Sequence, residues 1–151
     1  MSGDDRDRDA VGRPRNARPR DALGRPLPRD AVGEPRVPDD LLLPPAETLA
    51  EAQRLLDSER PFHAHEVLEA RWKACPPDER ELWQGLAQLA VGLTHLRRGN
   101  PAGARTLLAR ASARVSRYEG SRPYGVDVGG LVAWCDTAPD DPGVLPPRLT
   151  G

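Results

Sequence analysis

The 151-residue chain carries 22 basic and 23 acidic side chains, a formal net charge of -1. That balance lacks the basic footprint of a nucleic-acid or acidic-membrane binder, so neither is an expected partner. No apolar run approaches the roughly 18 to 20 residues that cross a bilayer.

Met1 to Asp9 has no hydrophobic region of the signal-peptide kind. Two cysteines, Cys75 and Cys135, are too few for a disulfide framework or a four-thiolate zinc site. A cytoplasmic protein of one domain is the expectation.

Residues 1–40 hold nine arginines and nine acids with almost no large apolar residues, a composition that predicts a disordered tail. Three imperfect copies of Arg-Asp-Ala-Val/Leu-Gly-x-Pro start at Arg8, Arg20 and Arg29. Their unequal spacing is not that of a solenoid. The segment reads as a low-complexity linker, or as a multivalent docking peptide whose single Val or Leu per copy inserts into a protein partner.

A helical domain is expected over residues 44–138. The first helix spans about Pro45 to Glu59, with Leu49, Leu55 and Leu56 on one flank. Arg60-Pro61 breaks it, and Pro61 suits the first turn of a second helix that ends at Cys75-Pro76-Pro77. Asp78 is then the expected N-cap of a third helix, with Glu81 at the capping-box position.

Gly99-Asn100 closes that helix, and Asn100 is placed to cap a fourth running from Pro101 to near Gly120. A short fifth helix covers about 127–137, and residues 139–151 are expected to be a loose C-terminal tail. No segment reads as a strand. The fold class is all-α, a compact bundle of four to five helices.

The second helix holds the densest chemistry, Pro61-Phe-His-Ala-His-Glu-Val-Leu-Glu-Ala-Arg-Trp72. Helical spacing sets His65, Glu69 and Trp72 on one side with Phe62 and Leu68, the face that should meet the core. Polar groups buried there need partners. The third helix offers them: Gln84, Gln88, Val91 and His95 form one stripe, opposite the apolar stripe Leu82, Leu86, Leu89 and Leu93. Gly85, Ala87, Ala90 and Gly92 between them suit close approach of neighbouring helices.

Three readings of this cluster stand side by side. The His65–Glu69 pair with the two glutamines is a register-fixing polar network. Alternatively, His65 and Glu69 are two ligands of a divalent metal, with a third required from His63 or His95. His63 lies about 160° round the helix from His65 and should point away.

The His-Glu-x-x-His pattern of zinc proteases is absent, because position 69 is glutamate. In the third reading, Glu69 beside His65 in a semi-apolar pocket acts as a proton donor without metal. Glu66, nearer the flank, reads as an ion-pair partner. Trp72 reads as a core wedge.

The order of Phe62 to Trp72, Leu82-Trp-Gln-Gly-Leu-Ala-Gln-Leu-Ala90 and Arg98-Gly-Asn-Pro-Ala-Gly-Ala104 resembles the domain-of-unknown-function family numbered three hundred and nine. The resemblance covers about residues 46–118. It implies a small all-helical fold and the family's description as predicted metal-dependent hydrolases. The family's motif positions fall on His65, Glu66, Glu69, Trp72, Gln84 and Gln88. Position 63, often acidic in the family, is His63 here. The resemblance carries over a hydrolase-like or ligand-binding pocket; the alternative is a non-enzymatic binding or scaffold module whose polar cluster is structural.

Overall fold

The computed structural model describes residues 42–151, so the expected disorder and docking role of the repeat-bearing N-terminus lie outside the described residues. Among the described residues there are five α-helices: α1 (Pro45–Asp57), α2 (Pro61–Ala74), α3 (Arg80–Arg97), α4 (Pro101–Val115) and α5 (Val128–Thr137). Among the described residues there is no strand, only an isolated bridge between Val126 and Thr150. None of the described helices is long and apolar enough to cross a membrane.

Proline sets three of the starts. Pro45, Pro61 and Pro101 each occupy the first helical position, where a missing N–H costs nothing. Asn100 caps α4 as expected, its side chain accepting from Gly103 N. Asp127 does the same for α5 through Gly130 N.

The start of α3 differs from expectation. Asp78 does not cap it; Pro77–Glu79 forms a 3-10 turn, and α3 begins at Arg80 without a side-chain cap. Tyr118 supplies what the cap would have supplied. Its hydroxyl accepts from Leu82 N at 3.2 Å and donates to the Asp78 carbonyl at 2.7 Å. An orphan amide of the first turn is thereby satisfied from a distant segment.

The fourth helix also ends early, at Val115, and continues as a 3-10 turn over Ser116–Tyr118.

Helix α3 lies at the centre, packed against α2 on one side and α4 on the other, while α1 covers α2 and α5 covers α4. Leu82, Leu86, Leu89 and Leu93 are fully buried, as their spacing requires. Close approach of α3 and α4 depends on glycine at two positions. A Cβ at Gly85 would lie 2.8 Å from Val115 Cγ2, and one at Gly92 would lie 2.6 Å from Leu108 Cδ2.

The expectation of a loose tail from Pro139 does not hold. After a 3-10 turn at Ala138–Asp140 the chain returns across the bundle, and Leu149 is buried in the common core. Arg97 donates to the carbonyls of Pro142 and Val144, and Trp134 Nε1 donates to that of Leu145. These side-chain-to-backbone bonds give order to a proline-rich segment that has no helix or sheet ladder of its own.

Candidate functional site

Helices α2 and α3 bring together the residues that the sequence singled out. His65, Glu69 and Trp72 from α2 and Gln84 and Gln88 from α3 line one cavity of about 210 Å³ that opens to the surface. Ala87, Val91 and Leu107 complete its walls. Its lining is mixed, since α2 presents His65, Glu69 and Trp72 on successive turns and α3 presents Gln84, Gln88 and Val91.

His65 is only 4% exposed, and its Nε2 stands 4.0 Å from Glu69 Oε2, at the outer limit of an ion pair. Phe62 packs on His65 with ring centroids 5.5 Å apart. Trp72 is partly buried against the core and lines the cavity at the same time.

Gln88 is held from the far side of α3. Its Oε1 accepts from Arg114 Nε at 3.0 Å, and Arg114 Nη1 donates to both carboxylate oxygens of Glu81 at 3.0 and 2.9 Å.

Other candidates lie elsewhere. Glu66 is half-buried on α2, outside the lining of the cavity. His63 is buried, at 2% exposure, and is not among the residues lining the cavity. It meets Phe62 edge-on at 6.2 Å.

His95, on the same stripe as Gln84 and Gln88, stands beyond the cavity at the turn into α4. There its Nδ1 is 3.0 Å from Asn100 Nδ2. Neither histidine lines the cavity with His65 and Glu69.

That arrangement decides the fit of a metal. Zinc sites draw on three or four protein donors, and His65 with Glu69 offers two. Among the described residues no group of three or more His, Cys, Asp or Glu side chains could hold one ion. The two donors fall short of a zinc site.

The sequence singled out Glu81 only as a capping-box residue, and it did not single out Leu107 or Arg114 for this site. Glu81 was legible in principle, since it continues the stripe of Gln84 and Gln88 one turn earlier. Arg114 was one arginine among several on α4, with nothing local to mark it as the residue that reaches α3.

Among characterised and uncharacterised curated proteins, the "Uncharacterized protein YpuF" of Bacillus subtilis (strain 168) is 43% identical over 74 residues. That stretch is 47% of this chain and 42% of YpuF, so the chain spans less than half the length of this relative. No solved structure matches. Residues 49–107 match the family described as "Domain of unknown function (DUF309)". The family that the chain resembles is thus DUF309, and the matched span contains every residue lining the cavity, from His65 to Leu107.

Proposed function

We propose that the domain is a ligand-binding module for a small, partly polar organic molecule held between α2 and α3. The observation that carries this reading is the convergence of His65, Glu69, Gln84 and Gln88 on one surface-open cavity. A polar cluster kept only for register would be closed and paired within itself. At about 210 Å³ the cavity is smaller than the roughly 300–1,000 Å³ of pockets for drug-sized molecules, which suits a smaller ligand.

Binding is favoured over turnover by the lining itself. It contains no Ser, Thr, Cys or Lys nucleophile, and its donors fall short of a zinc site. His65 and Glu69 therefore serve as polar contacts to the ligand, with Trp72, Val91 and Leu107 against its apolar part. Both cysteines are free thiols, which supports a reducing, cytoplasmic setting.

The test is a fragment screen on the isotope-labelled full chain, read at the Trp72 indole N–H and the Gln84 and Gln88 side-chain amides. Saturable shifts at these groups are expected. A screen in which no compound moves them would sink the reading.

A further inference from the structure

Gln84 lines the cavity, and its amide makes no hydrogen bond among the described residues. A side-chain amide offers a donor and an acceptor, the same pair that a peptide group offers. Gln53 shows in this chain what such a pair does. It bonds the backbone on both sides of Arg148 and seats Leu149 in the core.

Trp72, Ala87, Val91 and Leu107 give the cavity the surface that an aliphatic side chain needs. On α4, Arg110 lies three residues after Leu107 and four before Arg114, on the side of the helix that these two share. Leu107 lines the cavity and Arg114 bonds Gln88, which places Arg110 on the rim. Arg110 is exposed and has no acidic partner among the described residues.

One segment of the chain carries the complement of these features. Residues 1–41 contain Asp9-Ala-Val-Gly12, Asp21-Ala-Leu-Gly24 and Asp30-Ala-Val-Gly33, each followed two residues later by proline. Every copy presents one branched aliphatic side chain between Ala and Gly, small residues that leave the adjoining peptide groups open to approach. The segment also joins the domain at the right place. The Leu43 carbonyl accepts from Arg71 Nη1 at 3.2 Å, one residue before Trp72 of the lining. Val32 precedes Leu42 by ten residues, a reach of up to about 33 Å.

We infer that the Asp-Ala-Val/Leu-Gly repeats of the same chain are the cavity's own occupant, a tethered ligand that any free molecule must displace. The Val or Leu side chain enters the cavity, and Gln84 pairs with the peptide groups beside it. In extended chain, residues two apart share a face at a spacing of about 7 Å, so the aspartate of each copy meets Arg110 on the rim. Tethering holds each copy at about millimolar local concentration. Weak docking then fills the cavity part of the time, and the apparent affinity of a free ligand falls with the fraction left open. This inference rests on the cavity being a ligand site, and its test separates the two.

The test compares the full-length chain with its Val11→Ser/Leu23→Ser/Val32→Ser variant, whose changes lie outside the helical domain. The Trp72 indole N–H and the Gln84 side-chain amide are expected to shift between the two, by an amount that does not change on dilution. A synthetic peptide of Arg29–Pro35, added to the triple variant, should move the same resonances back. Arg110→Glu in that background should weaken the peptide severalfold. Fragments that bind the cavity should bind the triple variant about threefold more tightly than wild type.

Identical cavity resonances in wild type and triple variant overturn the inference, as does a peptide that moves none of them. Peptide binding unchanged by Arg110→Glu removes the aspartate contact from it. Shifts that vanish on dilution also overturn it, because the repeat would then come from a second copy. In each case, fragments that bind both proteins equally leave the cavity reading intact. If no fragment moves these groups in either protein, the cavity reading falls and this inference with it.

Discussion

Gln53 on α1 grips the backbone on both sides of Arg148: its Nε2 donates to the Pro147 carbonyl at 2.9 Å, and its Oε1 accepts from Leu149 N at 2.8 Å. One neutral side chain thus satisfies a donor and an acceptor of a segment without regular structure. Leu149 is delivered into the core at 1% exposure as a result. Its carbonyl in turn accepts from Asp127 N at 2.9 Å, next to the cap of α5. The C-terminal segment therefore ties α1 to the start of α5, elements that the helix packing leaves on opposite sides of the bundle.

Leu149→Ala is expected to lower stability by about 2–5 kcal/mol, the range for emptying a buried leucine site. Leu145, four residues earlier and 79% exposed, is the control. Its alanine variant should stay within about 0.5 kcal/mol of wild type. Urea denaturation of both variants decides the matter. If Leu149→Ala behaves like Leu145→Ala, the segment is not part of the core.

Two glycine-to-alanine changes should move stability in opposite directions. A Cβ at Gly92 would lie 2.6 Å from Leu108 Cδ2 and 2.8 Å from its Cγ, and Leu108 is fully buried with nowhere to go. Overpacking should outweigh the gain in helix propensity, for a net loss of about 1–2 kcal/mol. At Gly129 in α5 nothing lies within 4 Å of an added Cβ. There alanine should stabilise by a few tenths to about 1 kcal/mol. Thermal melts that show the same sign for both variants would disprove the close α3–α4 approach.

The helices and the polar stripe of α3 were legible because each rests on a local or periodic signal. Pro61 and Pro101 start helices for a steric reason that needs no tertiary context, and Gln84, Gln88 and Val91 recur at helical spacing. Three features were not legible, each for a distinct reason. The Asp78 cap was outcompeted by the Tyr118 hydroxyl, a contact 36 residues away from Leu82. The order of residues 139–151 comes from Gln53, Arg97 and Trp134 bonding to its backbone, and such bonds leave no pattern in the segment's own sequence. The role of Arg114 depends on the rotation of α4 about α3, which the glycines permit but do not specify.

Removing metal should change nothing measurable. His65 and Glu69 are two donors, and the described residues do not gather a third. Elemental analysis of purified, untagged protein is expected to find no stoichiometric zinc, manganese, iron or nickel. A chelator should leave the melting temperature where it was, since an ion that binds the folded state would have raised it. Stoichiometric metal that disappears in a still-folded His65→Ala/Glu69→Ala variant would reverse this conclusion.

Acid should weaken the turn between α3 and α4 through His95. Asn100 spends its Oδ1 on Gly103 N at 3.1 Å, so it is Nδ2 that faces His95 Nδ1 at 3.0 Å. Nδ1 must then accept, which requires it to carry no proton. Burial, reinforced by the nearby Arg98 charge, lowers the His95 pKa from its ordinary 6.5. The unfolded chain thus binds this proton more readily than the folded one. The contribution of His95 is fully present above pH 6.5 and is lost as pH falls through the lowered folded value. Protonation at Nδ1 sets N–H against NH₂ and loosens the Asn100 cap, whose loss costs about 1 kcal/mol. His95→Gln offers Asn100 an acceptor that does not titrate in this range. The melting temperature of wild type minus that of His95→Gln should be constant above about pH 7 and should fall between about pH 6.5 and 5. A difference that stays flat across this window would show that His95 does not couple the cap to pH.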